Sequence, residues 1–195
     1  MIVLGIDPGV ANTGYGVVRL AGGGRLAALD GGVIETRPGL AAEHRLAAIF
    51  ARVEELLDEH RPAAVALEDL YFGANARSAF AVGQARGVVM LAAGRRGIGC
   101  ASYTPQQVKG AVCGSGRATK DQVIRMVQAL LCLPEPPRPD HAADALAVAI
   151  CHANRPAALA APGVVLGRSA AEQPTLPASS PDTTIARRVR GGVTG

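Results

Sequence analysis

The first 155 residues alternate between apolar runs and short polar or glycine-rich breaks, and this pattern predicts most of the secondary structure. Three β-rich runs come first, at 2–6, 14–20 and 26–34. They are separated by Pro8-Gly9 and by the three glycines at 22–24, which are typical turn residues. Because these breaks are so short, we expect the three strands to form an antiparallel meander.

Helical periodicity begins at Glu43, after which apolar residues recur on one face as far as His60. The next predicted elements are a buried strand over 63–68, an alanine- and glycine-rich helix over 78–94, a strand over 97–103 and a short helix over 104–110. Thr119 and Gln122 have the spacing of a capping box, which predicts the start of another helix. The last helix is predicted over 141–154, after a proline-rich segment.

Together these elements predict one α/β domain over residues 1–155, with a mixed five-stranded sheet flanked by helices. Their order resembles that of a ribonuclease H-like domain. Residues 156–195 are rich in proline and glycine and show no sustained periodicity. Such a segment buries too little apolar surface to offset its ordering entropy, so we predict a disordered low-complexity tail.

Composition and charge narrow the functional class only slightly. The formal net charge of +4 favours an anionic partner. No apolar run approaches the roughly 20 residues needed to cross a bilayer, and the N-terminus lacks the features of a signal peptide. The four cysteines form no C-x-x-C pair. We therefore expect a cytoplasmic protein with reduced thiols and no membrane partner.

The two lysines of the chain, Lys109 and Lys120, lie in one stretch with Arg117 between them. Contact with phosphate groups would explain this clustering. A drift of the composition toward arginine, with chance placement of the two lysines, would explain it equally well.

Acidic residues end two of the predicted strands, Asp7 the first and Glu68 the fourth. The final helix adds His141 and Asp144, which are three residues apart and so share a face. Carboxylates that converge from such elements repel one another unless a cation lies among them, and hard oxygen ligands suit Mg²⁺ or Mn²⁺. Two such ions about 4 Å apart activate water and stabilise the leaving oxygen of a phosphodiester, which predicts a nuclease.

Each of these residues also has a plainer interpretation. Asp7 in Asp-Pro-Gly is typical of a turn cap, and Glu68 is equally typical of a solvated strand end. Asp144 would simply face water, and His141 would be a helix-start residue satisfied by the backbone, with Asp140 before it as the N-cap. The combination of acids at two strand ends and on one helix favours a site more than any single acid does.

Four segments resemble, in family order, the motifs of the bacterial Holliday-junction resolvases of the RuvC type. They are GIDPGVANTGYGVV, LEDLYFGANARSAFAVGQARGVV, TPQQVKGAVCGSGRATKDQVIRMV and DHAADALAVAI. The resemblance covers residues 1–155. It implies an endonuclease that resolves four-way DNA junctions by paired symmetric nicks, through metal-dependent phosphodiester hydrolysis, in recombination and repair.

The resemblance implies that Asp7, Glu68, His141 and Asp144 form the catalytic metal site, with two Mg²⁺ or Mn²⁺ ions. Many members of the family carry Asp where this chain has His141. Because imidazole is a softer ligand than carboxylate, we expect this chain to favour Mn²⁺ over Mg²⁺. Asp140 ranks below His141 as a ligand because its position directs it elsewhere on the helix.

Other positions are implied to contact DNA. Lys109 and Lys120 match basic positions beside the active site, where an ammonium group binds phosphate or steadies transition-state charge, and Lys109 is counted among the catalytic residues. Tyr71 matches an aromatic residue that stacks on a base near the junction centre. Phe72 beside it is a second candidate, for which packing in the core is the plainer role. Further candidates for phosphate contacts are Arg77 and Arg117.

The alanine- and glycine-rich segment allows helices to approach closely, and in the family this region builds a two-fold dimer. Such a homodimer presents two identical sites to the two equivalent strands of a four-way junction. A helix buried within one chain is equally consistent with the sequence. The resemblance also implies a branch-migration helicase complex of the RuvA/RuvB type as a partner.

Three alternatives share parts of this pattern. The opening motif also resembles the first phosphate loop of the sugar kinase, actin and Hsp70 ATPases, but those proteins need two such domains. The YqgF-type resolvase-like proteins are usually shorter and act on RNA, and the GQARG stretch favours the RuvC type. A non-catalytic junction-binding module would tolerate loss of the acids, yet every expected position here is acidic or histidine.

Overall fold

The computed structural model describes residues 1–69 and 76–155, with only the backbone given for residues 76–78. The described residues all fall within one compact unit. The predicted tail over 156–195 is outside the described residues, so its disorder stays a prediction.

All the predicted strands and helices are present in the described part of the chain, with ends shifted by no more than three residues. The strands are β1 (Ile2–Asp7), β2 (Asn12–Leu20), β3 (Leu26–Glu35), β4 (Ala64–Glu68) and β5 (Gly99–Tyr103). The helices are α1 (Ala42–His60), α2 (Ala76–Arg95), α3 (Pro105–Cys113), α4 (Lys120–Leu130) and α5 (Asp140–Ala153).

The strands form one mixed sheet in the order β3-β2-β1-β4-β5. β1, β2 and β3 pair in antiparallel fashion, which confirms the predicted meander. β4 and β5 extend the sheet in parallel with β1, because α1 and α2 provide the crossover connections that parallel strands need. The α/β fold class predicted from the sequence is therefore confirmed.

Helices cover both faces of the sheet. On one face α1 packs against α2, with Ile49, Val53 and Leu56 fully buried in that part of the core. On the other face lies α5, in contact with α3 and α4. Every residue of α5 from Ala142 to Ala153 is buried except Asp144. A helix this apolar belongs in the interior, and Asp144, the residue of this stretch that is not buried, marks the face that reaches the site.

Glycines in the strands beneath α5 allow the helix to lie close to the sheet. A Cβ atom on Gly5 would overlap backbone atoms of Ala145 and Ala149, and one on Gly14 would overlap the carbonyl group of His141. Neither glycine has a positive φ, so these positions require glycine for space and not for backbone conformation. The first turn of α5 is thereby fixed over β2, beside Asp7.

Within the described residues, no helix combines the length and apolar character needed to cross a bilayer. All four cysteines are free thiols, as their spacing predicted. Burial raises the pKa of the Cys151 thiol to about 11, so this thiol stays protonated at neutral pH.

Candidate metal centre

Two carboxylates meet at one edge of the sheet because β1 and β4 are parallel neighbours that both end in an acid. The register pairs Ile6 with Leu67, so Asp7 and Glu68 follow at corresponding positions. Both are partly buried, and the side chain of Asp7 is only 18% exposed. The turn after Asp7 is held by the buried hydroxyl of Thr13, which donates a hydrogen bond of 2.5 Å to the carbonyl oxygen of Gly9.

The first turn of α5 brings two further ligand groups to this edge. His141 Nδ1 lies 2.7 Å from Asp7 Oδ2. One donor atom from each of Asp7, His141 and Asp144 lies within 4.8 Å of the other two. The spacing of three residues therefore does place His141 and Asp144 together, facing the end of β1. Two carboxylates and an imidazole at this separation are able to hold a divalent cation.

Glu68 belongs to the same electrostatic group. Burial raises the pKa of its carboxyl to about 7, with further contributions from the charges of Asp7 and Asp144, while Lys120 acts in the opposite direction. The pKa of Asp144 is also raised, chiefly by burial and against the effect of Lys120. Carboxylates this close and this buried are stabilised by taking up either a proton or a cation.

Lys120 forms ion pairs with acids of α5. Its Nζ lies 3.0 Å from Asp140 Oδ2 and 3.3 Å from Asp144 Oδ2. Lys120 is held at the first position of α4, which begins at the predicted capping box of Thr119 and Gln122. Burial by itself would lower the pKa of Lys120, but the two carboxylates more than offset this and the pKa is raised.

The predicted N-cap role of Asp140 is wrong. Pro139 occupies the N-cap position, and Asp140 is the first residue of α5. Because Asp140 lies inside the helix, its carboxylate does not cap the backbone and instead pairs with Lys120. Asp140 is not among the three residues whose ligand atoms cluster, which are Asp7, His141 and Asp144.

Both lysines line one cleft with the acids. This cleft has a volume of about 180 Å³, and its charged lining consists of Glu68, Lys109, Lys120 and Asp144. α3, which carries Lys109, begins at a capping box formed by Thr104 and Gln107 that the sequence analysis did not identify. The clustering of the two lysines along the chain therefore corresponds to a shared position beside the acids.

Arg86 is a residue of this region that the sequence analysis missed. Its Nη1 donates a hydrogen bond of 2.9 Å to the carbonyl oxygen of Glu68, and its Nη2 lies 3.6 Å from Asp69 Oδ1. Nη2 also donates to the hydroxyl of Ser102 on β5. Arg86 thus fixes the end of β4. In the sequence it could have been recognised as the one charged residue in the middle of an alanine- and glycine-rich helix.

Other predicted contacts are not at the acidic group or lie outside the described residues. Arg117 is exposed and lines a separate cleft with Arg125. Tyr71 and Phe72 lie outside the described residues, as does the side chain of Arg77. Their roles stay predictions.

The family model of the crossover junction endodeoxyribonuclease RuvC matches residues 3–152, which include every residue of this acidic group. The chain belongs to the RuvC family. The RuvC of Pelotomaculum thermopropionicum is 51% identical over 154 residues, covering 79% of this chain and 93% of that protein. The RuvC of Moorella thermoacetica is 54% identical over 154 residues, with coverage of 79% and 92%.

Solved structures agree with this membership. Thermus thermophilus RuvC, in complex with a Holliday junction substrate, matches at 45% identity and a TM-score of 0.76, covering 78% of this chain and 93% of that chain. The yeast mitochondrial Holliday junction resolvase Ydc2 matches at 14% identity and a TM-score of 0.56, which shows a shared fold. The predicted RuvC family and ribonuclease H-like fold are confirmed, and the ATPase and YqgF-type alternatives are set aside.

Proposed function

We propose that this chain is a structure-selective endonuclease that resolves four-way DNA junctions by paired symmetric nicks, in recombination and repair. The observation that carries the proposal is the meeting of Asp7, Glu68, His141 and Asp144 at one sheet edge in a chain of the RuvC family. The Thermus relative, solved with a Holliday junction substrate, supports the choice of DNA junction.

The four residues are proposed to hold two divalent cations, Mg²⁺ or Mn²⁺. Their chemistry fits, because three carboxylates provide hard oxygen ligands and His141 adds one nitrogen. Cations held there would polarise the scissile phosphate and ease deprotonation of the attacking water. The strands and the buried helix hold these side chains in position before the substrate arrives.

The two lysines are proposed to act on the substrate. Lys109 and Lys120 line the same cleft as Glu68 and Asp144, so their ammonium groups lie where the scissile phosphate would enter. There they would bind the phosphate and stabilise the negative charge that grows in the transition state. Tyr71 is proposed to stack on a base near the junction centre, with Phe72 and Arg77 as further DNA contacts.

The protein is proposed to act as a homodimer that pairs through α2. One face of α2 is buried against the chain's own core, through Ala85 and Val89. The opposite face carries Phe80, 70% exposed, and Leu91, 58% exposed, at helical spacing with glycines 83 and 87, beside which there is open space. A second copy fits this face because glycines let two helices approach and two equivalent strands must be cut.

The dimer is tested by light scattering on Leu91→Glu, which we expect to be monomeric, with Met126→Glu, at an exposed apolar position on α4, as a control that should stay dimeric. A dimeric Leu91→Glu protein would contradict the interface.

The partner helicase complex of the RuvA/RuvB type and the cytoplasmic location are also proposed, on the basis of the family resemblance.

The function is tested by incubating the purified protein with synthetic four-way junctions and with linear duplex, in Mg²⁺ or Mn²⁺. We expect symmetric, ligatable nicks in the junction only. Asp7→Asn should bind junctions without cutting them, whereas Glu43→Gln, an exposed acid on α1, should cut normally. A wild-type protein that binds but does not cut would favour the non-catalytic junction-binding module, and normal cutting by Asp7→Asn would refute the site.

A further inference from the structure

A second and larger cleft opens directly beside the metal centre. It has a volume of about 840 Å³ and lies between α4 and the proline-rich segment that leads into α5. One wall is formed by Ile124 and Arg125, and the other by residues 136–139 and by the first residues of α5, Asp140 and His141. His141 lines this cleft and also belongs to the cluster with Asp7 and Asp144, so the cleft adjoins the metal centre at this residue.

The arginines of this cleft have no acidic partner among the described residues, although Arg125 Nε donates a hydrogen bond of 3.3 Å to the backbone carbonyl oxygen of Asp121. The guanidinium groups of Arg125 and Arg138 are exposed, and neither forms an ion pair with any acid in the described part of the chain. Arg125 additionally lines the neighbouring cleft that contains Arg117, so positively charged residues line both clefts. Guanidinium groups along an open cleft favour an anionic ligand with repeated charges.

One of the two acids in the cleft already has a basic partner outside it. Asp140 is already paired with Lys120 at 3.0 Å. Asp121 lies in the first turn of α4, where a carboxylate is stabilised by the helix dipole. Three residues of the opposite wall, Pro136, Pro137 and Pro139, have no backbone N–H group, so these residues donate no hydrogen bonds to bases.

We propose that this cleft, the α4–α5 cleft, binds the sugar–phosphate backbone of the strand that is cut, on one side of the scissile phosphate, with Arg125 and Arg138 contacting successive phosphates. The proposal rests on the proposed function and extends it, because it assigns the path by which the cut strand leaves the metal centre. Contacts of this kind position the strand without reading its sequence.

The first test compares the salt dependence of junction binding, measured by fluorescence anisotropy without divalent metal, between two charge-matched double variants. Arg125→Gln with Arg138→Gln removes both cleft charges. The control, Arg19→Gln with Arg25→Gln, removes two exposed charges at the opposite end of the β2–β3 hairpin from Asp7. Log K falls as log salt rises, and each lost phosphate contact reduces the magnitude of this negative slope by about one. We therefore expect the magnitude to fall by about two for the cleft variant and to stay unchanged for the control.

The second test locates the contacts on the DNA. Uncharged methylphosphonates are placed one at a time on either side of the cleavage position, and binding is measured for the wild type and for the cleft variant. We expect two adjacent substitutions on one side to weaken binding by the wild type and to have no effect on the cleft variant. Two groups that contact each other show this loss of additivity, and groups far apart do not.

Three outcomes would overturn the proposal: slopes that coincide for the cleft and control variants, methylphosphonate effects that persist in the cleft variant, or a cleft variant that binds DNA normally but loses an acidic protein partner. If the wild type cuts junctions while any of these is seen, the proposed function stands and the cleft alone fails. If the wild type binds no DNA, both fail.

Discussion

The carbonyl group of His141 occupies the space that a Cβ atom on Gly14 would need. Gly14 is at the same time the partner of Asp7 across the β1–β2 pair. One residue of β2 therefore touches both the strand that carries Asp7 and the helix that carries His141 and Asp144. The contact of 2.7 Å between His141 Nδ1 and Asp7 Oδ2 depends on this close approach.

We expect Gly14→Ala to lower the affinity for Mn²⁺ by at least about 10-fold, because the added methyl group pushes the first turn of α5 away from Asp7. Calorimetric titration with Mn²⁺ measures this directly. Gly31→Ala is the matched control, since a Cβ atom there would make an ordinary contact of 3.6 Å with Leu146 Cδ1. Equal Mn²⁺ affinity in the two variants would show that Gly14 does not position the ligands.

We expect His141→Asp to shift the metal preference from Mn²⁺ toward Mg²⁺, because it replaces a nitrogen ligand by a harder oxygen. The measurement is the ratio of the junction cleavage rates in Mg²⁺ and Mn²⁺, which should rise in the variant. His44→Asp, an exposed histidine on α1, is the control and should leave the ratio unchanged. If the ratio were the same in the wild type, His141→Asp and His44→Asp, His141 would not be a metal ligand.

The raised pKa of Glu68 predicts a pH dependence of stability in the metal-free protein. The folded protein protonates Glu68 with a pKa of about 7, against 4.5 for an unperturbed group. The folded state thus binds more protons than the unfolded state between these values, so the contribution of Glu68 to the free energy of unfolding falls as pH rises from about 4.5 to about 7.

Urea unfolding in EDTA at pH 5 and pH 8 measures this effect. We expect Glu68→Gln to gain stability relative to the wild type on going from pH 5 to pH 8, because the amide carries no charge at either pH. Glu43→Gln should show no such change. If the free energies of unfolding of Glu68→Gln and the wild type differed by the same amount at both pH values, the raised pKa of Glu68 would be contradicted.

Because Lys120 forms ion pairs with acids of the site, we predict that removing its charge strengthens metal binding but slows cleavage. We expect Lys120→Gln to bind Mn²⁺ several-fold more tightly, because it removes a positive charge 3.3 Å from Asp144. The same variant should cut junctions more slowly, because the ammonium group no longer stabilises the transition state. Calorimetric titration and single-turnover cleavage separate the two effects.

Lys109→Gln is the variant to compare with Lys120→Gln. Lys109 lines the same cleft but forms no ion pair with a described acid. We therefore expect Lys109→Gln to cut more slowly, with nearly unchanged Mn²⁺ affinity and junction binding. If Lys109→Gln lost binding and cleavage equally, Lys109 would be a phosphate anchor only. If Lys120→Gln bound Mn²⁺ more weakly than the wild type, the electrostatic account of Lys120 would be wrong.

The prediction for residues 156–195 is that their removal leaves cleavage intact. The composition of this segment predicts disorder, and the family match ends at residue 152. Cleavage by a protein truncated after Arg155, measured over a range of salt concentrations, tests this. A truncated protein that folds but does not cut would refute the tail interpretation.

Local patterns in the sequence determined the order of the strands and helices, because hydrophobic periodicity and capping residues act over a few positions. Thr119 and Gln122 identified the start of α4, and the apolar runs that end in Asp7 and Glu68 identified two strands, whose parallel pairing came from the structure. The sequence failed at Asp140, since a cap depends on whether the helix begins one residue earlier or later, which is a difference that local propensity does not resolve.

Family motifs in the sequence also identified which acids belong together, but only the tertiary structure decided how they interact. The pairing of Lys120 with Asp144, the pKa of Glu68 and the support from Arg86 all depend on distances between residues that are far apart along the chain. Such distances are set by packing, here by α5 lying against the glycines of β1 and β2. Electrostatic energies change steeply with those distances and with burial, so no pattern along the chain contains them.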